Sequence, residues 1–188
     1  MMSAWALRRR LVKRVRRILG MSLDFRDTRS RKVVFVPHCA LNQNARVAGA
    51  AVQPAAFHQL INSLVEQGVG IIQMPCPELL LLGLDRSEVP IRTRLENDVN
   101  REHLRRMAAE IAAQVQEYRQ CGVEVLAILG KDGSPTCGVD LTWDEGTVEG
   151  RGVFIQEVLA ELQRKGLQLK VAGIRDTLPE GVLSDLEK

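Results

Sequence analysis

Four short apolar runs rich in β-branched residues recur along this chain, and the segments between them read as helix or loop. The runs are VVFVP at 33–37, VGIIQM at 69–74, VEVLAIL at 123–129 and LQLKVAGI at 167–174. Each has the length and composition of a buried strand rather than a helix. Between them, PAAFHQLINSLVEQ (54–67) has Pro at its start and Gly68 beyond its end, as helix capping favours. A longer helix is expected over Leu95–Gln120, with Leu104, Met107, Ala108, Ile111, Ala112 and Val115 on one stripe, and another over Gly152–Lys165. Strand–helix alternation of this kind predicts an α/β fold: an open parallel sheet of about four strands with helices on both faces.

Charge divides the chain into two parts. Residues 1–32 hold eleven of the 26 Lys and Arg but only Asp24 and Asp27 among the 23 acids, a net +9. The rest has 15 basic and 21 acidic residues, a net −6, so the overall +3 averages a basic arm with an acidic body. The expected division is an arm and tether at 1–31 and one domain at 32–188. In the arm, Leu11, Val12, Val15, Ile18 and Leu19 share one helical face and seven Lys and Arg cover the remainder, with Trp5 beside them. Residues 5–19 therefore suit contact with an anionic membrane surface. Few aromatics are available to stack bases, so no specific nucleic acid is expected. A solvated arm, or an upstream extension before a start at Met21, weighs equally. No spanning segment or signal-peptide pattern is evident, which predicts a cytoplasmic protein, peripheral at the membrane if the arm binds lipid.

Ligands of open parallel sheets bind beyond the carboxyl ends of the strands. Three of the four cysteines fall there: Cys39 in VPHCALNQNAR, Cys76 in MPCPE and Cys137 in GKDGSPTCGVD, whereas Cys121 precedes the third strand. A lone thiol is usually a small buried hydrophobe, and Cys121 keeps that reading. Three thiols in polar, turn-rich loops on one rim favour ligation. The donor set fits a structural zinc with His38 as fourth ligand, or an iron–sulfur cluster with one iron left open; spacing does not separate these. A disulfide is disfavoured in a reducing compartment. Near the thiols, Glu78 is a general acid or base, or else a helix-start carboxylate. Ser134 supplies a hydroxyl to substrate or caps the turn at Pro135. Asn42, Gln43, Asn44 and Arg46 could contact a polar planar ligand, or bond to their own backbone.

The motifs PHCALNQNAR, GVGIIQMPCPE and SPTCGVD, in that order, resemble the thiouracil desulfidases and, more closely, the shorter desulfidase-related proteins. The resemblance runs from about Val33 to Ile174. It implies a Rossmann-like domain with a 4Fe-4S cluster on Cys39, Cys76 and Cys137, one iron being open. It implies acid–base roles for Glu78 and Ser134, with Asn42, Asn44 and Arg46 orienting the substrate. The activity implied is non-redox removal of sulfur from a small thiolated, thiocarbonyl compound. Two features depart from the thiouracil enzymes: LNQNAR replaces their leucine–glycine turn, and the larger members carry a second, C-terminal domain, whereas this sequence ends soon after its fourth strand. The competing expectations are a non-catalytic metal or cluster domain, with His38 closing the coordination shell, and an interaction module built on the basic arm.

Overall fold

The computed structural model describes residues 11–12, 14–15, 20, 27–86 and 90–176. Most of the basic arm, with the membrane contact expected of residues 5–19, lies outside them. Leu11, Val12, Arg14 and Val15 are helical and exposed.

The central strand β1 (Lys32–Val36) buries Val33, Val34, Phe35 and Val36, because both its faces and both its edges are covered. It ends at Pro37, which has no N–H to extend the ladder. β2 (Gly70–Gln73) and β3 (Glu124–Lys131) flank it, and β6 (Lys170–Ile174) lies outside β3, giving a parallel sheet in the order β2-β1-β3-β6. Val33 and Phe35 face one core, built with Leu104, Ile111 and Val115 of helix α5 (Asp98–Gln120) and Phe154 and Val158 of helix α6 (Val153–Arg164). Val34 and Val36 face the other, with Leu60 and Leu64 of helix α2 (His58–Glu66). Burial on that scale contributes roughly 1.5–3 kcal/mol per large apolar side chain. The fold is Rossmann-like, with helices on both faces of the sheet.

β3 does not alternate, and its pairing explains why. Val33 pairs with Val125 and Phe35 with Ile128, so β3 holds one extra residue opposite β1. That bulge puts Val125 and Ile128 in the same core although they are three residues apart.

Three features differ from the sequence expectation. The long helix is broken: α4 (Ile91–Glu96) ends before Asn97, whose backbone is extended and whose side chain accepts the Asn100 N–H at 2.9 Å, capping α5. An antiparallel hairpin of β4 (Leu141–Trp143) and β5 (Thr147–Glu149) intervenes between β3 and α6. The expected helix at 54–67 begins only at His58, where the Phe57 N–H is tied to the Ala40 carbonyl at 2.8 Å. Among the described residues, no helix is long and apolar enough to cross a membrane.

Candidate functional site

In a sheet of this order the chain leaves β1 toward one edge and returns to β3 on the other side. The carboxyl ends of β1 and β3 therefore border an open crevice. A cleft of about 780 Å³ occupies it, lined by Cys39, Cys76, Cys137, Glu78, Ser134 and Arg46, among others. Cys39 lies on the short helix α1 (His38–Leu41) after β1. Cys76 sits at the N-cap of α3 (Pro77–Leu82), where Pro77 takes the first helical position. Cys137 follows β3 in a loop that packs on α6. Cys121, exposed, is the C-cap of α5 ahead of β3, and does not line the cleft.

The Cys137 loop is held by close backbone packing. The first N–H groups of α6 are taken by the loop itself, Val153 by the Pro135 carbonyl and Phe154 by that of Thr136, each at 3.0 Å. Gly130 and Gly152 permit the approach, since a Cβ on Gly130 would overlap the Cys137 carbonyl and one on Gly152 the Thr136 backbone. Gly152→Ala is expected to lower stability by ~1–3 kcal/mol through overpacking and to displace the Cys137 loop. Chemical denaturation measures the first effect; an unchanged midpoint would refute it.

Ser134 both caps this turn and reaches the acid. Its Oγ accepts the N–H groups of Thr136 (3.1 Å) and Cys137 (3.0 Å) and donates to Glu78 Oε1 at 3.3 Å. Glu78, in the first turn of α3, receives Arg86 Nε on its other oxygen at 3.2 Å. Arg86 has a side chain only 2% exposed and is held by carbonyls as well, donating to Gly83 at 2.8 Å and to Ala45 at 2.7 Å. The two sequence-identified acid–base residues are thus one hydrogen-bonded pair, clamped by a buried arginine.

Burial pushes the Cys39 thiol up to about 11, with the neighbouring Cys76 adding to it, while Arg46 and Lys131 oppose the rise. Cys76 is also raised by burial, against a backbone N–H bond from Leu79. Cys137 is raised well above its ordinary value, by burial and then by Cys76 and Cys39. These mutual effects place the three thiols in one electrostatic neighbourhood. As bare thiolates they would repel one another; a polycationic ligand would reverse the penalty. Among the described residues, no three His, Cys, Asp or Glu side chains are grouped as ligands of a single metal ion. The donor chemistry, three thiols on separate loops around one cleft, fits a larger thiolate-bound group.

Arg46 lines the cleft, but Asn42 and Asn44 do not. Asn42 Oδ1 accepts the Asn44 backbone N–H at 3.1 Å and its side-chain amide at 3.2 Å, capping the 3-10 turn Gln43–Ala45. This is the backbone-turn role foreseen as the alternative to ligand contact. Gln43 is buried and braces the Cys39 loop, donating to the Cys39 carbonyl at 2.6 Å.

Several cleft residues escaped sequence reasoning. Lys131, at the end of β3, is buried; its Nζ donates to the Asp132 carbonyl at 2.6 Å and meets Asp176 Oδ2 at 3.3 Å. Asp132 Oδ1 accepts the N–H groups of Val139 (3.0 Å) and Asp140 (3.1 Å), folding the hairpin back onto β3. Trp143 of the hairpin lines the cleft while exposed. In sequence, Lys131 and Arg86 sit in GKDG and LDRS, which read as surface turns; nothing local signals their burial.

No known family profile matches the chain. It is 29% identical over 144 residues to an uncharacterized protein of Methanocaldococcus jannaschii, MJ0003, covering 76% of this chain and 85% of that protein. No solved structure matches.

Proposed function

We propose that this protein is a non-redox desulfidase that replaces the sulfur of a small thiocarbonyl compound with oxygen, using a 4Fe-4S cluster on Cys39, Cys76 and Cys137. The observation that carries this reading is the convergence of three thiols, 37 and 61 positions apart in sequence, on the cleft that also holds the Glu78–Ser134 pair. The resemblance of the three motifs to desulfidases supports it. Bound there by three cysteines, such a cluster supplies a Lewis-acid iron for the substrate sulfur.

The chain's residues carry the proton chemistry. Glu78, fixed by Arg86 on one oxygen, presents the other to Ser134 and is placed to take a proton from water. Ser134 Oγ, already accepting two backbone N–H groups, holds its own proton toward Glu78 and orients that oxygen. Arg46 lies on the same wall to contact the substrate. Thiocarbonyl and water give carbonyl and hydrogen sulfide; no electrons are exchanged and no donor is needed. The same reading assigns the protein to the cytoplasm, with residues 5–19 touching anionic lipid.

A second reading, a non-catalytic cluster domain closed by His38, draws on one observation: His38 Nε2 is buried and has no hydrogen-bond partner, and His38 lines the cleft. Anaerobically reconstituted protein, assayed for iron, acid-labile sulfide and sulfide release from thiolated bases and thioamides, separates the two. The desulfidase is expected to hold about four irons, to release sulfide, and to keep its spectrum in His38→Ala. Absence of iron refutes both readings. Iron without turnover, together with a changed spectrum in His38→Ala, selects the second.

A further inference from the structure

We infer that Arg46 and Lys131 form an anion subsite in the cleft and that the substrate carries an acidic group, a carboxylate or a phosphate, beside its thiocarbonyl. The inference rests on the desulfidase reading for the word substrate, but the subsite itself does not.

Its basis is a charge count at one place. Lys131 ends the inner strand β3 with its side chain 6% exposed, and Arg46, after the 3-10 turn, is 15% exposed. Both cations line the cleft. They share one carboxylate: Arg46 Nη1 meets Asp176 Oδ1 at 2.9 Å and Lys131 Nζ meets Asp176 Oδ2 at 3.3 Å. Among the described residues neither has a second acidic partner. Two cations on one carboxylate, itself 38% exposed, give this wall of the cleft a positive charge that also favours the neighbouring Cys39 thiolate. A small anion bound beside the two cations is favoured by the same charge.

The other carboxylates of the inner cleft are not free to take that place. Glu78 is engaged by Arg86 and Ser134. Asp132 is engaged by backbone N–H groups and faces Arg175 at 3.8 Å. Asp144 and Glu145 lie on the exposed hairpin, where solvent screens them. Donors remain: Arg46 uses one N–H of its five in the Asp176 bond. A guanidinium beside an ammonium matches a carboxylate or phosphate, the first through a planar fork and the second as a point charge.

The test uses the full-length, cluster-loaded protein. Calorimetric titration with inorganic phosphate, acetate and neutral acetamide reads the subsite directly. One of the two anions is expected to bind, acetamide is not, and the tighter anion identifies the acidic group. Arg46→Gln is expected to weaken that anion at least tenfold; it carries the test because Lys131→Met removes a buried ion pair and risks the fold. Binding of neither anion, or unchanged binding in Arg46→Gln, would overturn the subsite. For the substrate, a thioamide bearing a carboxylate is compared with its methyl ester. The acid is expected to have at least tenfold higher kcat/KM, and equal values would overturn the assignment. If neither releases sulfide, the desulfidase reading has failed, and the titration alone decides the subsite.

Discussion

Replacing Cys39, Cys76 or Cys137 singly by serine is expected to strip the protein of iron and sulfide-releasing activity together, while Cys121→Ser retains both. A thiolate ligand contributes more than the groups that merely orient it, whose loss costs about 10- to 100-fold in affinity. Each rim variant should therefore fall by more than that. The contrast with Cys121 follows from position: it caps the end of α5, exposed, at the opposite edge of the sheet from the cleft. Iron and labile-sulfide analysis of the four anaerobic variants decides the matter. Retention of the cluster in any rim variant, or its loss in Cys121→Ser, would defeat the proposed ligand set.

Glu78→Gln is expected to lower kcat by roughly 10²–10⁴, the contribution of a positioned proton-transfer group, with iron content unchanged. Glutamine preserves shape, and its single amide oxygen can keep the Arg86 bond, but its NH2 then faces Ser134 and cannot accept the hydroxyl proton, so the change removes the proton acceptor together with that hydrogen bond. Ser134→Ala should act in two ways, which separate experimentally. It slows turnover by releasing the Glu78 oxygen. It also removes the acceptor of two backbone N–H groups at Cys137, which costs about 1 kcal/mol of stability. Steady-state sulfide release reads the first effect and denaturation the second. Wild-type kcat in Glu78→Gln would remove this carboxylate from the chemistry.

The limits of what the sequence discloses appear residue by residue. VVFVP is buried on both faces, and its composition already requires that, because four consecutive apolar residues in a strand have no solvated side. VEVLAIL reads equally well as a strand, yet the bulge within it is invisible until β1 pairs beside it. Leu95–Gln120 has one continuous apolar stripe, but Asn97 stops it by a side-chain cap, a choice made by competition between two local hydrogen-bond patterns. For the cleft, the placement of Cys39, Cys76 and Cys137 after strands was legible from topology rules. The outward position of Asn42 and Asn44 was not, since a turn residue and a ligand contact have the same composition.

By itself the sequence determined the four strands of the parallel sheet, though not the β4–β5 hairpin, that both faces of the sheet would be covered, and which thiols follow a strand. These are local properties: periodicity, β-branching and the position of proline depend on neighbours a few residues away. The tertiary structure alone decided that β1 and β3 lie adjacent and so open the cleft between their ends. It alone buried Arg86 against Ala45, 41 residues away in sequence, and Lys131 against Asp176. Desolvation is the reason. Whether a cation in a turn is a solvated surface charge or a buried clamp depends on what distant chain covers it, and that is settled only when the strands are paired.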